Sequence, residues 1–213
     1  MKKLLTVALG AILLCGIAGC GASYDKTVLA VSGDDAEKSF HAVGGFGGVD
    51  GTWSPTEANK MEATSVAEVA KLDKKLAKTL SQKTALQYLY KAEVTIGGEC
   101  ADWKAKAKVN GEIKEFPASH AVKALRAKYD SEDKTYVNDQ WIPDPKTAHA
   151  ESLTENLFIS PNWAETPDEE GWHWDMNPVC ITEDGTYTLI VAQYTSANTP
   201  DSFGFGLGLV KKA

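Results

Sequence analysis

The sequence lacks the motifs by which an enzyme is most readily identified. It contains no Gly-x-Ser-x-Gly elbow, no P-loop and no His-Glu-x-x-His helix. The glycine-rich stretch at residues 44–51 departs from the spacing of a dinucleotide-binding loop, so we interpret it as a turn. These absences favour a binding protein over an enzyme. The histidines are also too scattered for a metal motif, and they are His41, His120, His149 and His173.

Positive charge is scarce as well. The chain has 22 lysines and arginines against 29 aspartates and glutamates, which gives a net charge of −7. Recognition of nucleic-acid phosphates needs a basic surface. We therefore expect no nucleic-acid partner.

Long hydrophobic runs are limited to one short segment. Residues 4–14 are mostly apolar and follow Lys2 and Lys3. A transmembrane helix needs about 20 apolar residues, whereas a basic start, a short apolar run and small residues are typical of a secretion signal. We predict a signal peptide over residues 1–19, whose removal takes the net charge from −7 to −9.

The predicted signal peptide is followed directly by a cysteine. Ile17-Ala18-Gly19-Cys20 resembles the lipobox of bacterial lipoproteins. The resemblance implies cleavage before Cys20 and a diacylglyceryl group on its sulfur, and two acyl chains anchor a protein stably where one does not. The mature protein is then expected to be extracytoplasmic and lipid-anchored to a bacterial membrane. The alternative is an ordinary signal peptide that is cleaved nearby.

Cysteine is rare, with four residues in the chain. Cys15 leaves with the signal peptide and Cys20 carries the lipid, so Cys100 and Cys180 remain. Outside the cytoplasm two such thiols are expected to form a disulfide, which in the chain-entropy model contributes about 4.5 kcal/mol for a loop of about 80 residues. Two separate free thiols are the alternative. A zinc site is less favoured, because neither cysteine has another ligand at the right spacing.

The rest of the chain predicts a tether over residues 20–37 and a single domain over residues 38–213. Alternating apolar residues indicate strands at 86–96, 187–191 and 203–209, the last with glycines along one face that allow close approach. Asn110-Gly111 predicts a tight hairpin, and its core-facing residues would be Trp103, Ala105, Ala107 and Val109.

Helical periodicity appears from Glu62 to Leu80 and predicts one amphipathic helix of about four turns. Ser119 is expected to cap a second, short helix, and residues 130–146 to form an ordered loop. Together these elements predict a mainly β (α+β) fold, an antiparallel β-sandwich with one or two inserted helices. We interpret the lysines of the first helix as a solvated face without a function: Lys71, Lys74, Lys75 and Lys78.

Tryptophan is abundant, with six residues, and four of them lie in polar segments outside the strand patterns. Indole rings on loops are costly unless they pack or bind. In an extended segment Trp172 and Trp174 project to one side about 7 Å apart, which suits consecutive sugar rings. The alternative is that these rings plug the ends of the sandwich. The predicted glycan-binding surface consists of Trp141, Trp163, Trp172 and Trp174, with His173, Asp175 and Asn177 as its polar rim.

Several segments resemble known carbohydrate-binding families. FHAVGGFGG at residues 40–48, YLYKAEVTI at 88–96 and WKAKAKV at 103–109 resemble the opening strands of starch- and glycogen-binding β-sandwich modules. ITEDGTYTLIVA at residues 181–192 resembles jelly-roll carbohydrate-binding modules of bacterial surface proteins. The resemblance implies glycan binding without catalysis, and Trp53 stands in for the first sugar-contacting tryptophan of the family.

The sequence is also compatible with two other functions. The aromatic residues would serve equally to recruit a protein partner to a scaffold. A glycoside hydrolase would use two carboxylates from the acidic run Asp168, Glu169, Glu170 and Asp175. No cofactor is expected, although calcium is an alternative with ligands among Asp139, Asp144, Asp168 and Asp175.

Overall fold

A computed structural model describes Tyr24 and residues 26–30, 36–143, 150–159, 179–181, 183–195 and 203–212. Two short helices lie close together in the chain, α1 (Val66–Leu72) and α2 (Lys74–Ser81). The strands of the described residues are β1 (Lys38–Gly44), β2 (Glu62–Ala63), β3 (Thr84–Ile96), β4 (Lys104–Val109), β5 (Glu112–Pro117), β6 (Val122–Asp130), β7 (Thr135–Ile142), β8 (Ala150–Ser152), β9 (Leu157–Ile159), β10 (Val179–Ile181), β11 (Gly185–Thr195) and β12 (Phe203–Lys211).

The described strands form two main sheets and two smaller pairs. The larger sheet has the order β2-β3-β11-β12-β8 and is antiparallel except for the parallel pair β12–β8. The smaller sheet has the order β1-β6-β7 and is antiparallel. The remaining pairs are β4–β5 and β9–β10.

The main core lies between the two sheets. Phe40, Val122 and Ile142 of the smaller sheet pack in one cluster with Leu189 and Leu207 of the larger sheet. The predicted mainly β fold with inserted helices is therefore confirmed. The predicted alternation of the last two strands is also confirmed, because the same cluster contains Tyr187, Leu189, Val191, Phe205, Leu207 and Leu209.

A helical layer covers the other face of the larger sheet. Leu76 and Leu80 of α2 pack in a second cluster with Ile190 of β11. The predicted close approach at the glycine face is present here, because a Cβ on Gly206 would lie 2.7 Å from the Tyr194 hydroxyl oxygen. Among the described residues, no helix has the length and apolar character needed to span a membrane.

The single long helix predicted from Glu62 is wrong. Glu62–Ala63 pairs with β3 as strand β2, and Asp73 has an extended backbone that separates α1 from α2. The Asp73 carboxylate accepts hydrogen bonds from the backbone N–H groups of Lys75 and Leu76. A short acidic side chain favours this capping position over a helix interior, so the apolar periodicity continues across a break.

The predictions for residues 119–146 are also wrong. Residues 118–120 form only a 3-10 turn, and the segment expected to continue as a helix is strand β6. Both faces of this strand are buried, from Val122 to Leu125, so the period of two is hidden. The expected loop contains β7, a polar edge strand that its pairing with β6 defines.

Part of the predicted tether contacts the domain. Tyr24 and Val28 pack against the second cluster, which contains side chains of α1, α2, β3 and β11. The backbone N–H of Leu29 donates to the carbonyl oxygen of Leu86, at the beginning of β3, over 2.6 Å. The chain therefore enters the domain at this cluster and at the beginning of β3.

Candidate ligand-binding surface

A group of aromatic side chains surrounds the β4–β5 hairpin, and we call it the hairpin aromatic surface. It consists of Trp53, Trp103, Phe116 and Phe158. Trp53, Phe116 and Phe158 are partly buried against a small cluster that includes Ala105 and Ala107 of the hairpin.

The predicted hairpin forms as expected, with Asn110 and Gly111 at positive φ angles of 54° and 88°. Ala105, Ala107 and Val109 face its small core. The prediction that Trp103 also faces the core is wrong, because its side chain is 43% exposed. Trp103 precedes the first paired residue of the hairpin, so the alternation of the strand does not fix its direction.

Trp103 packs against a second tryptophan. Its ring centroid lies 5.9 Å from that of Trp53, and the two planes are tilted by 43°. Gly51 permits this arrangement, because its φ is +66° and a Cβ there would lie 2.4 Å from Trp53 Nε1. The pair therefore presents indole surface to solvent in two differently inclined planes.

Polar groups adjoin the aromatic surface. The ring of His120 stacks on Phe116 with centroids 6.4 Å apart, and its Nε2 lies 2.7 Å from Asp184 Oδ1. His120 is buried, whereas the Asp184 side chain is 72% exposed. Asp184 therefore has carboxylate surface free for a solvent-side hydroxyl or amine, while His120 fixes its position.

Of the predicted glycan-binding residues, one lies in the described part of the chain. Trp141 is half-buried on β7, paired in register with Leu125, and the Lys123 ammonium lies 5.7 Å from its ring centroid. A cation over an indole face is favourable, so Trp141 is engaged within the protein. The other predicted residues lie outside the described residues, and they are Trp163, Trp172, His173, Trp174, Asp175 and Asn177.

Of the cysteines predicted to carry a lipid or to form a disulfide, the structure describes the side chain of Cys100. Cys20 lies outside the described residues. Cys100 has a free, half-buried thiol in the structure, and the side chain of Cys180 lies outside the description. The disulfide is therefore not shown and stays a prediction.

No group of three or more candidate metal ligands occurs among the described residues. Asp139, one of the four aspartates considered for calcium, pairs with Lys38 at 3.2 Å and with Arg126 at 2.6 Å. Its carboxylate is therefore already neutralised by two cations. The other three, Asp144, Asp168 and Asp175, lie outside the described residues, as do Glu169 and Glu170 of the acidic run.

A buried polar network, which the sequence did not predict, lies on the outer face of the smaller sheet. His41 is completely buried, and its Nδ1 lies 2.9 Å from the Thr56 carbonyl oxygen and 3.1 Å from Asn59 Oδ1. Both partners are acceptors, so Nδ1 carries the proton and Nε2 accepts from the Ser39 hydroxyl over 2.8 Å. The only signal in the sequence is the period of two that places Ser39 and His41 on one face of β1.

The network joins β1 to the segment 54–60. Asn59 orients this segment, since its amide also accepts from the Thr56 N–H at 2.8 Å and donates to the Ser54 carbonyl at 2.9 Å. Hydroxyl, imidazole and amide follow the same order in nucleophilic triads. Because the imidazole is completely buried and both its nitrogens are satisfied, we interpret the network as a structural connection. Burial lowers the pKa of His41 below its ordinary value, so the ring is neutral at pH 7.

No protein-family model, curated protein or solved structure matches the chain. The function is therefore inferred from the chemistry of its residues. Within the described part of the chain, the hairpin aromatic surface combines an exposed indole with a second indole and polar neighbours.

Proposed function

We propose that the protein is a lipid-anchored, extracytoplasmic glycan-binding protein without catalytic activity. The observation that carries the proposal is the Trp53–Trp103 pair, in which one indole is 43% exposed and lies 5.9 Å from the other. A large apolar ring held at the surface is favoured when it contacts a ligand.

The chemistry of the surface fits a glycan in two respects. The apolar faces of sugar rings stack on indole, and planes tilted by 43° suit successive rings that are rotated relative to one another. The exposed Asp184 carboxylate supplies an acceptor for sugar hydroxyls beside these rings. The predicted tryptophans Trp163, Trp172 and Trp174 would extend the same kind of surface.

The anchor is supported by the lipobox resemblance at Cys20 and by the predicted signal peptide before it. Mass spectrometry of the N-terminal peptide should show cleavage before Cys20 and a diacylglyceryl group on its sulfur. In a Cys20→Ala variant we expect the protein to leave the membrane fraction. An unmodified cysteine in the membrane-bound protein would contradict the proposed anchor.

Glycan binding is tested with affinity gels containing a panel of polysaccharides. We expect Trp103→Ala to weaken binding about tenfold, because about 1.4 kcal/mol of ring contact corresponds to that factor. Tyr129→Ala is the matched control, since Tyr129 is a comparably exposed aromatic residue, at 46%, on another hairpin. Equal binding by both variants would exclude Trp103, and no retention on any polysaccharide would exclude the function.

Recruitment of a protein partner is a second candidate, favoured by the same exposed Trp103. Aromatic residues of this kind also form the centres of protein interfaces. Cross-linking in membranes, followed by purification of wild type and Trp103→Ala, separates the two functions. A partner that is lost in Trp103→Ala, from a protein that no polysaccharide retains, would establish recruitment in place of glycan binding.

A further inference from the structure

The outer surface of the helical layer is basic in an otherwise acidic chain. Residues 66–83 contain five lysines against Glu68 and Asp73, whereas the whole chain has a net charge of −7. In α2 the buried residues are Leu76, Ala77 and Leu80. At 100° per residue the opposite face of this helix carries Lys74, Lys75 and Lys78.

Some of these lysines already have acidic partners. Lys71 pairs with Glu68 at 2.6 Å, Lys75 pairs with Glu155 at 2.5 Å, and Lys83 pairs with Glu151. Lys74 and Lys78 are exposed and have no acidic partner among the described residues. These two ammonium groups are therefore available to an external anion.

An exposed leucine accompanies the lysines. Leu72, at the end of α1, is 45% exposed, although its neighbour Val69 is completely buried. The exposed leucine adds a small apolar surface beside the lysines, and apolar contact and lysine charge are the two contributions by which interfacial helices bind anionic membranes.

The path of the chain brings this surface close to the proposed anchor. Tyr24 packs against the cluster that α1 and α2 form with the larger sheet, and it is the fourth residue after Cys20. Four residues span at most about 14 Å, even when fully extended. A lipid on Cys20 would therefore hold Tyr24 and the cluster it packs against within about 14 Å of the bilayer surface, less than two Debye lengths at physiological salt.

We infer that the α1–α2 surface docks on anionic phospholipid headgroups, with Lys74 and Lys78 as the main contacts. The inference rests on the proposed lipid anchor, which supplies the proximity. Anionic lipid attracts juxtamembrane lysines by about fivefold in affinity for each residue. None of the four residues of the hairpin aromatic surface belongs to the helical layer, so the proposed lipid contacts use no residue of the proposed glycan-binding surface.

The experiment is lysine acetylation of the lipidated full-length mature protein in vesicles, read by mass spectrometry. One set of vesicles is phosphatidylcholine alone, and the other contains about one third phosphatidylglycerol. We expect Lys74 and Lys78 to react several-fold more slowly in the anionic vesicles. Lys104 and Lys114, exposed lysines of the β4–β5 hairpin, are the internal control and should react equally in both.

Equal reactivity of Lys74 and Lys78 in the two vesicle types would overturn the inference. Slower reaction of Lys104 and Lys114 in the anionic vesicles would also overturn it, because the membrane contact would then lie on the β4–β5 hairpin. Amide hydrogen exchange of α1 and α2 provides a second readout. Its slowing by anionic lipid should disappear in Lys74→Glu/Lys78→Glu and persist in Lys104→Glu/Lys114→Glu.

The two proposals fail in different ways. The mass of the Cys20 peptide, measured in the same digest, reports the anchor independently of the lysines. A lipidated Cys20 with unprotected lysines leaves the anchor in place and removes the docking surface. If Cys20 of the native protein carries no lipid, the anchor is excluded. Protection of Lys74 and Lys78 in that unlipidated chain, added to anionic vesicles, would still support the docking surface.

Discussion

The two sheets share one core, but their outer faces differ in the interactions that attach neighbouring segments to them. The outer face of the larger sheet is covered by α1 and α2 through apolar side chains, including Leu76 and Leu80. The outer face of the smaller sheet is joined to the segment 54–60 through the hydrogen bonds of a buried histidine, His41. Apolar contact is insensitive to pH and sensitive to volume, whereas a buried imidazole is sensitive to protonation.

The largest expected loss of stability comes from the apolar contacts between the helical layer and the larger sheet. Leu80→Ala removes a completely buried side chain and should lower the free energy of unfolding by about 3 kcal/mol. Leu72→Ala makes the same chemical change at a site that is 45% exposed, and it should cost less than about 1 kcal/mol. Denaturant unfolding measures both values. Similar losses in the two variants would show that the helical layer is not packed as described.

A smaller effect is expected at the glycine face of β12, which is closely approached by the side chains of Tyr194 and Leu153. A Cβ on Gly206 would lie 2.7 Å from the Tyr194 hydroxyl and 2.8 Å from a methyl group of Leu153, so Gly206→Ala should cost about 2 kcal/mol. Gly208 lies on the same face of β12, but its nearest contact would be 3.2 Å from Thr154. Gly208→Ala should therefore be tolerated better, and equal melting temperatures for the two variants would contradict the close approach.

The junction between the helices gives a still smaller effect. Asp73 accepts hydrogen bonds from the N–H groups of Lys75 at 2.7 Å and Leu76 at 3.0 Å, so Asp73→Ala should cost about 1 kcal/mol. Asp73→Asn preserves the acceptor oxygen and should restore most of this loss. Failure of the asparagine variant to do so would assign the effect to charge instead of capping.

The strands that were predicted correctly have different environments on their two faces. In β12 large apolar residues alternate with glycines, and in β4 alanines alternate with lysines, so the period of two is visible. In β6 both faces are buried, and β7 is a polar edge strand, so their residues show no alternation. Such strands are defined by their partners, which are distant in the sequence, and local patterns do not contain that information.

The candidate surface was only partly predictable for a related reason. The residues of the hairpin aromatic surface come from three separate parts of the chain, and Trp53 and Trp103 meet only through tertiary packing. Tryptophan content suggested an aromatic surface but did not identify these members. Trp141, which was predicted from its polar surroundings, lies on β7 with the Lys123 ammonium near its ring, and its predicted role in glycan binding stays a prediction.

The last expected effect concerns the His41 hydrogen bonds that join β1 to the segment 54–60, and it appears only at acidic pH. Burial lowers the folded-state pKa of His41, while the unfolded chain keeps a value near 6.5. Below that pH the unfolded state binds more protons, so the free energy of unfolding should be constant above about pH 6.5 and fall as the pH drops through the folded pKa. Carboxylates such as Glu57, whose pKa the Tyr136 hydroxyl lowers, contribute only below their unfolded value of 4.5.

The interval between these two values therefore separates His41 from the carboxylates. We expect the slope of unfolding free energy against pH in this interval to decrease in His41→Gln and to remain in His120→Gln, which changes the buried histidine that pairs with the exposed Asp184. Hydrogen exchange at acidic pH should locate the weakened region in the segment 54–60 and leave α1 and α2 unchanged. If hydrogen exchange instead increases first in α1 and α2, protonation does not distinguish the helical layer from the segment 54–60. His41 would then be an ordinary core residue.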